Sequence, residues 1–174
     1  MSCKICDYVT GKVKTKKLYE DENILAILNP TPVTFGHSLI FPKNHHILIQ
    51  QIPEEVFKKM FFIAQQISGI IFEATGAEGS NIVISEGVVA GQKHAHAIIH
   101  IIPRKKDDGL NFEWAQKQIP EEYMEKIFGL LKVPQNNENF QEKQKTEEIT
   151  ATKQEEPEKE KKEDYRIRHL RRIP

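Results

Sequence analysis

Cysteine is scarce in this 174-residue chain: there are two, Cys3 and Cys6, three positions apart. A disulfide framework is thereby excluded, while a metal or redox role for the pair stays open. Net charge is absent as well, since 25 Lys and Arg stand against 25 Asp and Glu, so the overall balance gives no reason to expect nucleic acid or an anionic membrane as partner. No stretch approaches the roughly 20 apolar residues of a membrane-spanning helix, and Met1-Ser2-Cys3-Lys4 opens no apolar run of the signal-peptide kind. These absences predict a soluble, cytoplasmic protein without a membrane partner. No repeat of solenoid length is present either.

Composition changes sharply near Pro134. Residues 135–163 are almost wholly Gln, Asn, Glu, Lys and Thr, too polar to offset their own ordering entropy, and read as a disordered charged linker. Residues 164–174 interleave Tyr165, Ile167, Leu170 and Ile173 with four arginines, which suggests a short basic amphipathic segment; a solvated basic tail is the plainer alternative. Residues 1–134 carry the domain. Apolar runs at 18–20 and 24–28 flank Asp21-Glu22-Asn23 and predict a tight hairpin, with a third strand at 38–41. Val56, Met60, Ile63, Ile67 and Ile70 then recur at helical spacing behind Pro53, with Glu54 and Glu55 in the first turn and Gly76 and Gly79 after the end. Strands at 80–85 and 96–102 follow. A last helix over 120–132 should turn Tyr123, Ile127, Leu130 and Leu131 inward. The order β-β-β-α-β-β-α predicts an α+β fold, a five-stranded antiparallel sheet with one long and one shorter helix.

Three of the seven histidines lie in one segment, Gly91-Gln92-Lys93-His94-Ala95-His96-Ala97-Ile98-Ile99-His100-Ile101-Ile102-Pro103-Arg104. On a continuous strand, residues 94, 96, 98 and 100 share a face, with neighbours on it roughly 7 Å apart at Cα. A lone histidine on a strand is usually a hydrogen-bonded structural residue. Three on one face beside a glycine loop point to an ion or a phosphate. Small residues at Gly87, Ala90 and Gly91 would let backbone N–H groups approach an anion closely.

The run from Gly91-Gln92 through His96 and His100 to Pro103-Arg104 resembles the signature of the histidine triad (HIT) family of nucleotide-binding proteins and hydrolases. Cys3-Lys4-Ile5-Cys6, Tyr19-Glu20-Asp21-Glu22, Leu28-Asn29-Pro30 and the block from Gly36-His37 to Pro42-Lys43-Asn44-His45 agree with it in order and spacing. The resemblance covers about residues 2–104 and implies the HIT fold and a homodimer. It also implies a purine nucleotide or dinucleotide as ligand: Asn29 at the ribose, Ser85, Gly91, Gln92 and Lys93 near the phosphate, His37 and His100 hydrogen-bonded to it, and Ile5, Leu25, Ile27 and Phe41 walling the base. A turn residue before Pro30 is the structural reading of Asn29.

One departure governs the chemistry. In the family the middle triad histidine attacks the α-phosphate and forms a covalent nucleotidyl-histidine. That position is Ile98 here, and isoleucine has no lone pair. The resemblance therefore implies weak or absent covalent hydrolysis, with His100 and His37 as supporting groups only; hydrolysis through another histidine is the alternative. Enzymatic activity is left open. In the zinc-carrying branch of the family the Cys-x-x-Cys pair is completed by two histidines that correspond to His45 and His96, so Cys3, Cys6, His45 and His96 are the expected ligands of a structural Zn²⁺. A redox pair and two idle thiols are the alternatives for the cysteines.

Overall fold

A computed structural model describes residues 3–132, which fall into two units, one up to Leu110 and one from Asn111. The expected 135–163 linker and 164–174 segment lie outside the described residues.

The first unit is built on α1 (Lys4–Val9), β1 (Lys17–Glu20), β2 (Ile24–Leu28), β3 (Ser38–Pro42), α2 (Glu54–Thr75), β4 (Gly79–Ile84) and β5 (Ile99–Arg104), with single 3₁₀ turns at Ile49–Gln51 and Val88–Ala90. The strands form one antiparallel sheet in the order β1-β2-β3-β5-β4. The α+β architecture and five antiparallel strands match the sequence reading. The β1–β2 hairpin turns where expected because Asp21 Oδ1 accepts from the amides of Asn23 (2.8 Å) and Ile24 (2.7 Å), an Asx turn. Burial opposes that carboxylate's charge, but Lys59 of α2 (2.6 Å), the Tyr19 hydroxyl and the two amides outweigh it and hold Asp21 well below the usual carboxylate range.

Two-residue periodicity divides the sheet into two covered faces. Ile24, Ala26, Ile40, Ile99 and Ile101 face α2, whose Met60, Ile63, Ala64, Ile67 and Ile71 complete one core. Leu25, Ile27, Leu39, Phe41 and Ile98 face the other way and pack with Ile5 and Tyr8 of α1. The buried stripe of α2 departs from expectation at one end: Ile71 is buried, whereas Ile70 is 64% exposed. A strict 4-3-4-3 count averages 3.5 residues per turn and drifts off a 3.6-residue helix, so by the fifth turn the inward residue lies one position later. Gly76 closes α2 in the left-handed conformation, its amide bonded to the carbonyl of Phe72.

Two elements correct the sequence reading. A helix absent from the expected element order precedes the first strand: Cys3-Lys4-Ile5-Cys6 is the N-cap and first turn of α1, whose six residues are too few for their periodicity to show. The last strand begins at Ile99, not 96, because the chain turns at His94-Ala95-His96, where the His96 amide bonds the His94 carbonyl at 2.8 Å and the Ala97 amide bonds the carbonyl of His46 at 2.6 Å. In the second unit α3 (Glu121–Leu131) forms over the expected residues, but Tyr123, Ile127, Leu130 and Leu131 are exposed rather than turned inward. Among the described residues no helix is long and apolar enough to cross a membrane.

Candidate functional site

Around the start of β5, His96, Ile98 and His100 turn toward the α1 side of the sheet, while Ala97 and Ile99 join the α2 core. His96 is 1% exposed beneath the start of α1, Ile98 lies in the apolar cluster with Ile5 and Phe41, and His100 stands opposite Leu39 of β3. The segment thus has two polar ends and an apolar middle.

At one end Cys3, Cys6, His45 and His96 bring their ligand atoms within 4.8 Å of one another. Cys6 Sγ is 3.3 Å from His45 Nδ1 and 3.8 Å from His96 Nδ1; Cys3 Sγ is 3.6 Å from His96 Nδ1. Two sulfurs at about 2.3 Å and two nitrogens at about 2.1 Å from a tetrahedral centre stand roughly 3.3–3.8 Å apart, so the donor spacing fits Zn²⁺. The ring of His96 is set by a bond from Nε2 to the Pro42 carbonyl at 2.9 Å, which leaves the Nδ1 lone pair toward the cysteines. Burial, then neighbouring histidines, depresses the His96 pKa, while burial and Cys3 raise that of the Cys6 thiol. The His96 ring is therefore ready to bind metal, whereas Cys6 must release a proton to do so.

At the other end a directed chain of hydrogen bonds fixes two imidazoles. His37 Nδ1 accepts from Asn29 Nδ2 (3.1 Å) and from the Val33 amide (3.3 Å), so its proton sits on Nε2, which donates to His100 Nδ1 at 3.1 Å. The His100 proton is then on Nε2, leaving it as a donor. His37 is 4% exposed, and burial together with the charge His100 can carry lowers its pKa to about 4. Burial also lowers that of His100, aided by His94 and Lys93. Both rings are neutral at pH 7. Asn29 Oδ1 accepts from the Thr31 amide at 3.0 Å, so the turn role and the site role fall to one side chain. Gly36 (φ +91°) makes the approach to His37 possible: a Cβ there would lie 2.8 Å from Thr75 Cγ2 and 3.3 Å from Pro103 Cγ.

The remaining expected residues spread along the glycine loop. Gln92 is engaged inside the protein, accepting from the Gly87 amide at 2.8 Å and donating to the Ile47 carbonyl at 2.9 Å. The amides of Ala90 and Gln92 bond the Gly87 carbonyl and that of Gly91 bonds the Val88 carbonyl, so these groups brace the loop. Gly87 and Gly91 both adopt positive φ. Ser85 is half-buried and Lys93 exposed. Ile5, Leu25, Ile27 and Phe41 are fully buried against one another. His94, expected on one strand face with positions 96, 98 and 100, instead precedes the turn at Ala95, close enough for its charge to affect His100. Sequence reasoning did not single out the Val33 amide, the Pro42 carbonyl or the Ile47 carbonyl, because backbone groups carry no residue signal. Glu86, which accepts from the Ile49 amide at 2.7 Å, had none either.

The family model described as the HIT domain matches residues 10–107, and the chain belongs to this family. Cys3 and Cys6 precede the matched region. Among its relatives is an adenylylsulfatase, HINT3, from Arabidopsis thaliana, 39% identical over 117 residues that make up 67% of this chain and 58% of that protein. The chain therefore spans little more than half of that relative's length. A HIT family protein from Bacillus anthracis has a similar structure (31% identity, 74% of this chain and 94% of that one, TM-score 0.69). So does a zinc-bound histidine triad family protein from Mycobacterium smegmatis (36% identity, 67% and 85%, TM-score 0.59).

Proposed function

We propose that this HIT-family protein binds a purine nucleotide or dinucleotide at the His37–His100 end and has weak or no covalent nucleotidyl-hydrolase activity. The observation that carries this reading is Ile98. It is 8% exposed, embedded among Ile5, Tyr8, Leu25, Ile27, Leu39 and Phe41, and flanked by two histidines with other commitments. His96 Nδ1 faces the cysteines, and His100 Nδ1 accepts from His37. His100 Nε2–H, Lys93 and Ser85 then supply donors to the phosphate, Gly91 and Gln92 shape the loop beside it, and Asn29 meets the ribose. Neutral His37 orients His100 without itself touching phosphorus.

Zinc held by Cys3, Cys6, His45 and His96 acts structurally in this proposal. It ties α1 to the segments after β3 and before β5 and supplies no reactive position, since four protein ligands complete a tetrahedron. A homodimer is part of the same reading: β4 is an edge strand with exposed Ile82, and α2, bonded to it through Ser68–Ser80 (2.9 Å), exposes Phe62 and Ile70. The second reading is slow hydrolysis by direct water attack with general acid help from His100, worth about 10²–10⁴-fold over no catalyst. The activity named for the Arabidopsis relative favours it.

Calorimetry with 5′-AMP, alongside intact-mass analysis and turnover assays with adenosine phosphoramidate, separates the readings. Binding without adduct or turnover is expected. Turnover without adduct selects water attack, and an adduct of one nucleotidyl group overturns both.

A further inference from the structure

We propose that the cleft beside Asn29 is a second anion subsite, taking a phosphate carried on the ribose 2′ or 3′ oxygen of the bound nucleotide. The proposal rests on the nucleotide reading and extends it to a substrate class, the adenosine bisphosphates. A cavity of about 610 Å³ opens between residues 14–16, which lead into β1, and the 29–37 loop that joins β2 to β3. Its walls include Lys14, Lys16, Asn29, Phe35 and His37.

The charges there are arranged unlike those on the neighbouring surface. Lys12 pairs with Asp7 (3.5 Å), Lys17 with Glu20 (2.5 Å), Lys43 with Glu20 (3.0 Å) and Lys59 with Asp21 (2.6 Å). Among the described residues, the ammonium groups of Lys14 and Lys16 have neither an ion-pair nor a hydrogen-bond partner, and no carboxylate lines the cleft. Two lysines gathered on one concave wall without a counter-charge suit a dianion, and an ammonium reaches phosphate as a point charge without demanding fork geometry. Asn29 joins this cleft to the phosphate end: its amide orients His37 at 3.1 Å and also forms part of the cleft wall. A nucleotide with its α-phosphate at His100 and its ribose at Asn29 turns the hydroxyl edge of the sugar toward the lysines. The ring of Phe35, 81% exposed, gives the same cleft an apolar side for the sugar face.

The test is calorimetry on the full chain with 5′-AMP, adenosine 3′,5′-bisphosphate and adenosine 2′,5′-bisphosphate. Salt of about 150 mM screens non-specific attraction. At least one bisphosphate is expected to bind about tenfold more tightly than 5′-AMP. In the Lys14→Ala, Lys16→Ala double variant, shown folded by its thermal melt, that ratio should fall to within about twofold of unity. Equal binding of all three ligands to the unaltered protein overturns the subsite, as does a preference that survives the double substitution. Failure of all three to bind overturns the nucleotide reading, and the subsite with it, whereas binding of 5′-AMP without a bisphosphate preference removes the subsite alone.

Discussion

The two ends of the segment from His96 to His100 use the same side chain for opposite purposes. At the cysteine end His96 is one of four residues whose ligand atoms lie within 4.8 Å of one another, its Nδ1 facing the cysteines. At the other end His37 and His100 form an ordered pair in which one ring holds the next and the His100 Nε2–H is left as a donor. Ile98 separates them. On the proposed reading, the end that builds structure has a full donor set, while the end that would perform chemistry has its orienting groups and an isoleucine at the attacking position.

The sharpest way to break this comparison is at the cysteine end. Replacing Cys6 by Ser should abolish stoichiometric zinc in the purified protein and lower the melting temperature by roughly 15 °C, as expected for about 4 kcal/mol in a domain of this size. Elemental analysis and thermal melts read both effects, and a protein that purifies without zinc and ignores a chelator would refute the structural role.

At the middle position, Ile98→His restores a ring nitrogen beside His100. Phosphoramidate hydrolysis should rise by about 100-fold or more, with a transient nucleotidyl adduct in the intact mass. An unchanged rate means that the phosphate end is built for another ligand.

The histidine pair predicts a pH dependence. An unfolded chain protonates His37 near pH 6.5, and the folded one resists until about pH 4. Between those values the unfolded state binds more protons, so stability is complete above pH 6.5 and is lost as pH falls toward 4, by at most about 3 kcal/mol. Urea titrations of the native protein and His37→Gln across that window should show the slope in the first and a shallower one in the second; parallel curves would contradict it. The smallest effect belongs to Gln92→Ala, which removes the brace between Gly87 and Ile47. A loss of about 1–2 kcal/mol is expected, read as a shift in denaturation midpoint.

Much of this was legible in residue order. The short apolar runs at 24–28 and 38–42, the Asp21 turn and the helical stripe of 54–75 specify the sheet and its main cover by local physics. Resemblance brought Cys3, Cys6, His45 and His96 together, and it also put Asn29, His37 and His100 at one end. What stayed hidden depends on distant backbone. The delay of β5 to Ile99 follows from the His46 carbonyl receiving the Ala97 amide, and the hydrogen-bond direction through His37 follows from the Val33 amide. Nothing in residue order marks Lys14 and Lys16, whose shared cleft depends on the distant 29–37 loop.

Gly36 carries one further consequence. Its missing side chain lets the strand entrance rest on Thr75, and Thr75 belongs to the final turn of α2, where its hydroxyl bonds the Ile71 carbonyl at 2.7 Å. The imidazole that follows Gly36 is thereby geared to the tail of the long helix. Fraying of that last turn would slacken the histidine pair before any strand separates, which makes the helix terminus a remote dial on how firmly the pocket grips its guest.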